Sequence, residues 1–364
     1  MKSISVPSRR IEWLDFMRVT ACFMVVLSHS CDFFVGMMDS SPVSFLSGAA
    51  WGSSVRACVP LFVIISGALL LPMKDTTPVF YKKRMTRVVY PFIVWSVLTP
   101  FAYYAYGMIS LGKALTYVYT FPIGFNMTTT PFWYIYMLIG LYLFIPVISP
   151  WVASVSKKGL EGFLKIWFVT LFLPYIKFFA PLIGYEGNYG SMEILGACDW
   201  NSIGMLYYFS GFLGYLLLGH YLIKYPVDWK WGKTLAVALP LFIVGFCITY
   251  FGFISVSKNY AVLEVIWYFT NINVFMMVLA SFLILRKVKI TNPKAVRIIG
   301  KLSYLSFGIY LTHFFFVQVT YDFTKSIALA PYLQIPINAV IAFCVTTLFV
   351  YLLSKLPKSK YLIG

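Results

Sequence analysis

The chain has 364 residues, of which 60% are hydrophobic and only 11% are charged, and its mean hydropathy is +0.81. Water-soluble domains carry about 25% charged residues, so this composition excludes an ordinary soluble enzyme and a disordered chain, and it indicates an integral membrane protein. The formal net charge of +17 would suggest nucleic-acid binding in a soluble protein, but in a membrane protein it must first be compared with the topology.

Ten apolar stretches are long enough to cross a membrane, because a transmembrane helix needs about 20 mostly apolar residues. In chain order they are residues 13–34, 51–72, 88–106, 131–149, 163–183, 204–223, 233–252, 263–285, 302–321 and 333–354. No stretch has the composition of a soluble domain, and no internal repeat is evident. We therefore predict an all-α fold, a polytopic membrane helical bundle of about ten transmembrane helices that forms a single membrane domain over residues 1–364.

The distribution of Lys and Arg predicts the orientation, because positively charged loops stay in the cytoplasm. With the N-terminus inside, the cytoplasmic segments hold 23 of the 29 Lys and Arg residues, whereas the outer segments hold only Lys113, Lys258 and Lys325. Both termini are therefore predicted to be cytoplasmic, and topology accounts for most of the net charge. Membrane lipids are the expected partners of the basic loops, and no nucleic acid is expected to bind.

The first predicted helix contains three ionisable residues, Asp15, Arg18 and His29. Such residues are expensive inside a membrane and are therefore candidates for function. Arg18 and His29 are eleven residues apart, which places them on one helix face about 16 Å apart along the axis, and Asp15 lies where it can pair with Arg18. His29 could remove a proton from a hydroxyl nucleophile. The alternative is structural, with an interfacial ion pair and a hydrogen-bonded histidine near the outer surface.

Two further ionisable residues lie within predicted helices. Arg56 is near the outer end of the second helix, on the side that is otherwise poor in positive charge, where it could bind an acidic or sugar substrate or pair with a carboxylate such as Glu264. His313 lies in the ninth helix, where it could belong to a site or simply hydrogen-bond a neighbouring helix. The six cysteines are scattered and no metal-ligand spacing is visible, so no metal is predicted.

The loop before the third helix contains the basic stretch 82–87, in which Arg84 and Arg87 are three residues apart. We expect both on one face of the first turn of a helix, where two guanidinium groups can grip phosphate oxygens. A phosphorylated donor such as coenzyme A would need such a grip on the cytoplasmic face. The alternative is that this stretch only sets the topology.

Several of these residues belong to an ordered set of motifs. The set comprises residues 13–18 (WLDFMR) followed by His29, residues 59–67 (VPLFVIISG), Arg84 with Arg87, residues 300–304 (GKLSY) and residues 310–313 (YLTH). In order and spacing, the set resembles the acyltransferase-3 family of integral membrane acyltransferases over nearly the whole chain. Residues 54–67 look closest to the stand-alone members of that family, typified by the O-acetyltransferase of enterobacterial common antigen. A His-Leu-Trp-like motif frequent in the family is replaced by Pro131-Phe132-Trp133, so only the tryptophan is retained.

The resemblance implies a reaction and a set of partners. Acetyl-CoA would be the donor substrate, held by Arg84 and Arg87, and the acceptor would be a hydroxyl of a cell-surface, exported or lipid-linked glycan at the bacterial inner membrane. Arg18 and His29 match the functional pair of the family's first helix, with Asp15 beside them, and His29 would act as a general base or as a transient acyl carrier. The possible substrate-binding residues are Arg56, Trp133 and His313.

Two other functions fit a polar stripe through a helical bundle. A transporter or flippase for a glycan or small solute is the main alternative, and a membrane-bound sensing module is the second. An arginine pair for coenzyme A favours the acyltransferase, because a transporter does not need it. The outer aromatic residues that could stack on a sugar, or form an interfacial belt, are Trp51, Tyr185, Tyr189 and Trp200.

Overall fold

The computed structural model describes residues 11–184, 206–256, 266–327 and 329–364, and all regular structure in these ranges is helical. In chain order the helices are α1 (Glu12–Val35), α2 (Pro42–Ser54), α3 (Cys58–Leu70), α4 (Thr77–Arg84), α5 (Tyr90–Ala105), α6 (Leu111–Thr120), α7 (Trp133–Ser154), α8 (Lys157–Thr170), α9 (Ile176–Phe179), α10 (Leu213–Lys224), α11 (Trp231–Ser255), α12 (Ile272–Leu285), α13 (Pro293–Thr324), α14 (Pro331–Leu353) and α15 (Lys360–Ile363). A π-helical turn, Met85–Val89, joins α4 to α5, and 3-10 turns lie at Thr130–Phe132, Leu173–Tyr175, Ala180–Ile183 and Tyr207–Phe209.

Within the described ranges, seven helical segments are long and apolar enough to cross a membrane. They are Glu12–Val35, Pro42–Leu70, Thr77–Ala105, Thr130–Ser154, Trp231–Ser255, Pro293–Thr324 and Pro331–Leu353. The other three predicted spans overlap the shorter helices α8, α10 and α12, and parts of the last two fall on residues that the structure does not describe. The predicted polytopic membrane helical bundle is confirmed.

The second and ninth spans begin earlier than hydropathy predicts. The second starts at Pro42 rather than at residue 51, because the Ser41 side chain accepts a 3.4 Å hydrogen bond from a first-turn amide and proline suits the first helical position. The ninth starts at Pro293 rather than at residue 302, where the Asn292 side chain accepts a 2.8 Å bond from the first turn. Capping residues are polar, so a search for apolar runs passes over them.

Helix α1 lies at the centre of the bundle, where it packs against α2, α3, α13 and α14. Leu14, Met17 and Val25 of α1 join Leu61 and Ile64 of α3 in the main core. Because α1 has helices on several sides, Asp15, Arg18 and His29 contact side chains of the surrounding protein. This placement provides them with hydrogen-bond partners, which ionisable groups at membrane depth require.

Helices α3 and α10 cross at two glycines. A Cβ atom at Gly67 would lie 1.8 Å from the Leu216 carbonyl oxygen, and one at Gly219 would lie 2.1 Å from the Ile64 carbonyl oxygen. Small residues allow membrane helices to approach backbone to backbone, where dispersion contacts replace the missing hydrophobic effect. Since α3 also carries Ser66 at the wall of the candidate active site, this crossing positions part of that site.

Candidate active site

A cavity of about 610 Å³ lies among α1, α3, the π-helical turn, α7 and α13. We call it the arginine cavity, because Arg18 from α1 lines it together with Arg84, the last residue of α4, and Arg87 of the π-helical turn. Its other polar lining residues are Asp15, Ser66, Tyr134, Tyr142, Ser303, Tyr304, Ser306 and Tyr310. One carboxylate against three guanidinium groups leaves the lining with an excess of positive charge, which suits an anionic ligand.

Arg18 is held by a small network at the floor of this cavity. Its Nη1 atom lies 3.8 Å from Asp15 Oδ1 and donates a 3.1 Å hydrogen bond to Ser303 Oγ, while Ser303 Oγ donates a 2.5 Å bond to Asp15 Oδ1. The predicted pairing of Asp15 with Arg18 is therefore confirmed. Asp15 is only 8% exposed, whereas the Arg18 side chain keeps 29% exposure, so the network presents the guanidinium to the cavity.

Arg84 and Arg87 flank the start of the π-helical turn. The prediction that they lie on the first turn of a helix is wrong, because α4 already begins at Thr77, with a proline in its first turn. The turn Met85–Val89 instead interrupts a continuous span, and π-helical turns are frequent at functional sites. The guanidinium of Arg84 lies 5.5 Å from the Tyr142 ring, and its buried Nε atom has no hydrogen-bond partner within the described ranges. A buried donor of this kind can serve an incoming acceptor such as a phosphate oxygen.

His29 forms a dyad with Asp32 one turn later on α1. Its Nδ1 atom lies 2.7 Å from Asp32 Oδ2. A carboxylate accepts a hydrogen bond, so Nδ1 carries the proton, and in the neutral form of the ring the other nitrogen, Nε2, carries the lone pair. The side chain of His29 is 18% exposed and that of Asp32 is 46% exposed. A carboxylate on one ring nitrogen can orient an imidazole as a general base, as in the carboxylate–histidine pairs of hydrolases.

His313 lies directly beside this dyad. The two imidazole centroids are 5.3 Å apart, and His313 is 0% exposed. Its Nδ1 atom lies 2.6 Å from the backbone oxygen of Tyr310, whereas its Nε2 atom is buried without a hydrogen-bond partner among the described residues. The imidazoles of His29 on α1 and His313 on α13 therefore lie side by side, although they are far apart in the sequence.

Arg18 and His29 both face α13, because Arg18 bonds Ser303 and the His29 ring contacts the His313 ring. The prediction that they share one face of the first helix is thus confirmed. Tyr310 of α13 lines the arginine cavity, and its ring centroid lies 5.7 Å from that of His313. These contacts form a chain of side chains from the arginine cavity through Tyr310 and His313 to His29, which we call the polar path.

Comparison with known protein families identifies the chain. The model of the acyltransferase-3 family, described as an acyltransferase domain, matches residues 11–355. The protein belongs to this family. Searches of the curated proteins and of the solved structures found no match. The protein is therefore a multi-pass membrane acyltransferase, and this assignment favours group transfer over the transporter and sensor hypotheses.

Arg56 of this acyltransferase lies at the break between α2 and α3, two residues after α2 ends, and its position near the outer side of the membrane stays a prediction. Its Nη2 atom donates a 3.4 Å bond to Ser28, the neighbour of His29, and its guanidinium stacks 4.0 Å above the Trp267 ring. The proposed partner Glu264 lies outside the described residues. Because Ser28 precedes His29, this arginine borders the histidine end of the path.

Trp133 is joined to Arg56 through an aromatic neighbour. The Trp133 ring stacks on Phe269 at 5.4 Å, and the Arg56 guanidinium lies 5.6 Å from the same ring. Of the outer aromatic candidates, Trp51 donates a 2.9 Å bond to the Tyr332 backbone, and the other three lie outside the described residues: Tyr185, Tyr189 and Trp200. A substrate-binding role for Arg56, Trp133 and His313 stays a prediction.

Two residues of the site were not among the sequence-based candidates. Asp32 stands three residues after His29, and this spacing alone predicts a contact on a helix. Ser303 belongs to the motif of residues 300–304, but nothing in that motif indicates a bond to Arg18, which is 285 positions away in the chain.

Proposed function

We propose that this acyltransferase is a membrane O-acetyltransferase of the bacterial inner membrane, acting as one membrane domain over residues 1–364. It transfers an acetyl group from cytoplasmic acetyl-CoA to a hydroxyl of a cell-surface or exported glycan. The observation that carries the proposal is the convergence of Arg18, Arg84 and Arg87 on one cavity, from which a polar path leads to His29.

The donor occupies the arginine cavity. Coenzyme A carries several phosphate groups, and arginine binds phosphate oxygens through paired N–H donors. Arg84 and Arg87 belong to the basic stretch 82–87, on the side assigned to the cytoplasm, where acyl-CoA is available. Arg18 lies on α1 and is held by Asp15 and Ser303. It stabilises negative charge on the donor as the thioester enters the helical bundle.

The acceptor hydroxyl approaches His29 from the opposite end of α1. With Nδ1 bound to Asp32, the Nε2 atom of His29 takes the hydroxyl proton as the oxygen attacks the acyl carbon. Asp32 stabilises the imidazolium that forms. Arg56 and Trp133, joined through Phe269, border this end and contact the glycan, since aromatic faces stack on sugar rings and guanidinium donates to hydroxyl or carboxylate oxygens.

The donor assignment is tested by calorimetric binding of acetyl-CoA to the purified protein in detergent. The double variant Arg84→Ala, Arg87→Ala removes both guanidinium groups. Its matched control is Lys294→Ala, Arg297→Ala, which removes two positive charges at the same spacing from exposed positions at the start of α13 that do not line the cavity. We expect the first variant to lose at least about tenfold in affinity, because charge-assisted bonds contribute about 1.5–3 kcal/mol each.

Equal losses of acetyl-CoA affinity in both double variants would mean that Arg84 and Arg87 contribute only as general positive surface charge. Absence of binding to a native protein that unfolds cooperatively would reject coenzyme A as the donor.

The acceptor assignment is tested in cells that export a labelled polysaccharide. Cells with the native protein should attach acetyl groups that mild alkali releases, because oxygen esters are alkali-labile and amides are not. Cells with His29→Ala should lack this fraction at equal amounts of membrane-inserted protein. Alkali-stable acetyl groups, or an unchanged labile fraction, would contradict transfer to a glycan hydroxyl.

A further inference from the structure

The second imidazole, His313, raises a question that the general-base role of His29 leaves unanswered. His313 is fully buried, lies 5.3 Å from the His29 ring and has an Nε2 atom without a partner among the described residues. A buried polar atom without a hydrogen bond destabilises a fold by about 1–3 kcal/mol. Such an atom beside a catalytic dyad therefore suggests a chemical role.

Hydrogen bonding fixes the protonation of His313. A backbone carbonyl oxygen can only accept a hydrogen bond, so the 2.6 Å contact between Nδ1 and the Tyr310 oxygen requires the proton on Nδ1. Nε2 is buried and has no acceptor among the described residues, and an unpaired charge is costly in such a place, so the ring is neutral and its lone pair is on Nε2. His313 is therefore held as a neutral imidazole whose nucleophilic nitrogen is Nε2.

The two histidines lie at different points of the path. Tyr310 lines the arginine cavity, and its ring is 5.7 Å from His313, so His313 is the imidazole next to the donor end. The partner of His29 is Asp32, whose side chain is 46% exposed, so His29 is the imidazole next to the acceptor end. Their exposure to solvent also differs, because His313 is fully buried whereas the side chain of His29 is 18% exposed.

We propose that His313 is the acyl carrier and that His29 is the base for the second transfer, an inference that rests on the proposed function. The Nε2 lone pair of His313 attacks the thioester carbonyl carbon. A C–N bond forms, the C–S bond breaks, and the coenzyme A thiolate takes a proton from cytoplasmic water. The product is an Nε2-acyl imidazolium that keeps its Nδ1 proton bonded to Tyr310.

The second step returns His313 to its starting state. The acceptor oxygen attacks the acyl carbon, His29 Nε2 takes the hydroxyl proton, and the C–N bond breaks, which restores the neutral imidazole of His313. His29 then releases its proton to the acceptor side. The sum of both steps is one ester and one thiol, with one proton taken from water and one returned to it.

Burial suits a carrier and exposure suits a base. An acyl imidazole is hydrolysed readily by water, so a fully buried carrier protects the intermediate. A base must exchange its proton with solvent after each turnover, which the open Asp32 side of His29 permits. One histidine could not meet both requirements.

The test is isotope exchange between acetyl-CoA and labelled coenzyme A without any acceptor, in the purified full-length protein. Exchange requires a reversible acyl-enzyme step. His313→Asn keeps an amide donor near the position of Nδ1 and removes Nε2, so we expect a fall in exchange of at least about 100-fold. His29→Asn should keep the exchange and lose transfer to acceptor.

His220 provides the matched control. Its Nδ1 atom also contacts a backbone carbonyl, Leu71, at 3.0 Å, and its Nε2 atom likewise has no partner in the described part of the chain. It lies on α10, away from the arginine cavity lining. His220→Asn therefore makes the same chemical change elsewhere, and exchange should persist.

Several results would overturn the division of roles. These are exchange lost in His29→Asn but kept in His313→Asn, exchange lost in both variants, and transfer by the native protein without any exchange. Binding of acetyl-CoA to His313→Asn shows that the variant is folded. If it does not bind, proteolysis and mass spectrometry of acid-quenched native protein decide, because an acetyl adduct on His313 supports the carrier and one on His29 refutes it.

Failure of the proposed function gives a different pattern. If the acetyl group passes directly from coenzyme A to the acceptor, the native protein still binds acetyl-CoA and transfers acetyl groups but shows no isotope exchange. A native protein that binds no acetyl-CoA has neither, and then the donor assignment itself is wrong.

Discussion

The contact between His29 and Asp32 makes a quantitative prediction for Asp32→Asn. In the native protein, Nδ1 of His29 donates to a carboxylate oxygen at 2.7 Å. An asparagine at this position can present its amide N–H to Nδ1, which would move the ring proton to Nε2 and remove the lone pair that accepts the hydroxyl proton. We therefore expect a lower rate of transfer without a loss of fold.

The magnitude follows from the geometry of the pair. A hydrogen bond to a charged group contributes about 1.5–3 kcal/mol, and the 46% exposure of the Asp32 side chain screens the interaction towards the lower value. At about 1.4 kcal/mol for each factor of ten, kcat falls about tenfold. Asp32 lies fourteen residues beyond Arg18 on α1, about 21 Å along the axis, so donor binding stays intact. A slower second step in a two-step reaction lowers kcat and the donor KM together, so KM for acetyl-CoA should not rise.

Steady-state transfer from acetyl-CoA, measured over a range of donor concentrations, separates kcat from KM. Asp39→Asn is the control, since Asp39 is an exposed carboxylate just beyond the end of α1. An unchanged kcat in Asp32→Asn, an equal fall in the control, or a rise in donor KM would each refute the argument that Asp32 orients the base.

Three further changes test the site and its support. His29→Ala should lower transfer by at least about 100-fold while the unfolding midpoint in detergent stays near that of the native protein, and full activity would remove His29 from the mechanism. Gly67→Ala places a Cβ atom 1.8 Å from a backbone oxygen, so the free energy of unfolding should fall by about 3 kcal/mol. The control is Gly140→Ala on α7, where a Cβ would meet nothing within 4 Å and the free energy of unfolding should change little. Equal unfolding midpoints for the two variants would contradict the α3–α10 crossing. Ser303→Ala removes a hydrogen-bond partner of Asp15 and of Arg18, so it should lower the free energy of unfolding by about 1–3 kcal/mol and also lower the transfer rate. Ser303→Thr keeps the hydroxyl and should retain both properties. A stable and active Ser303→Ala variant would contradict the role of this network.

Features within one helix could be predicted from the sequence. The shared face of Arg18 and His29 and the pairing of Asp15 with Arg18 depend only on the 100° rotation per residue, and both are confirmed by contacts. The contact between His29 and Asp32 has the same local origin and could have been predicted by the same rule.

Local chain chemistry limited the prediction of helix boundaries. Hydropathy detects only the apolar part of a helix, so the polar beginning of α13 at Pro293 and most of α2, residues 42–50, were missed. The π-helical turn that follows Arg84 and contains Arg87 is not marked by any hydropathy pattern. The turn contacts α7 and α15, and contacts between such distant segments are not visible in its own sequence.

The sequence by itself determined the membrane class, the helical fold, the likeness to acyltransferases and the residues that share one face of α1, because composition and helical periodicity are properties of short stretches of chain. Only the tertiary structure decided that Arg18 meets Arg84 and Arg87 in one cavity and that His29 meets His313. These contacts join α1 to segments as far as 285 positions away, and they depend on which helices pack together and at what rotation. Close backbone approach at Gly67 and Gly219 fixes the α3–α10 crossing, and no periodicity within a single segment encodes contacts of this kind.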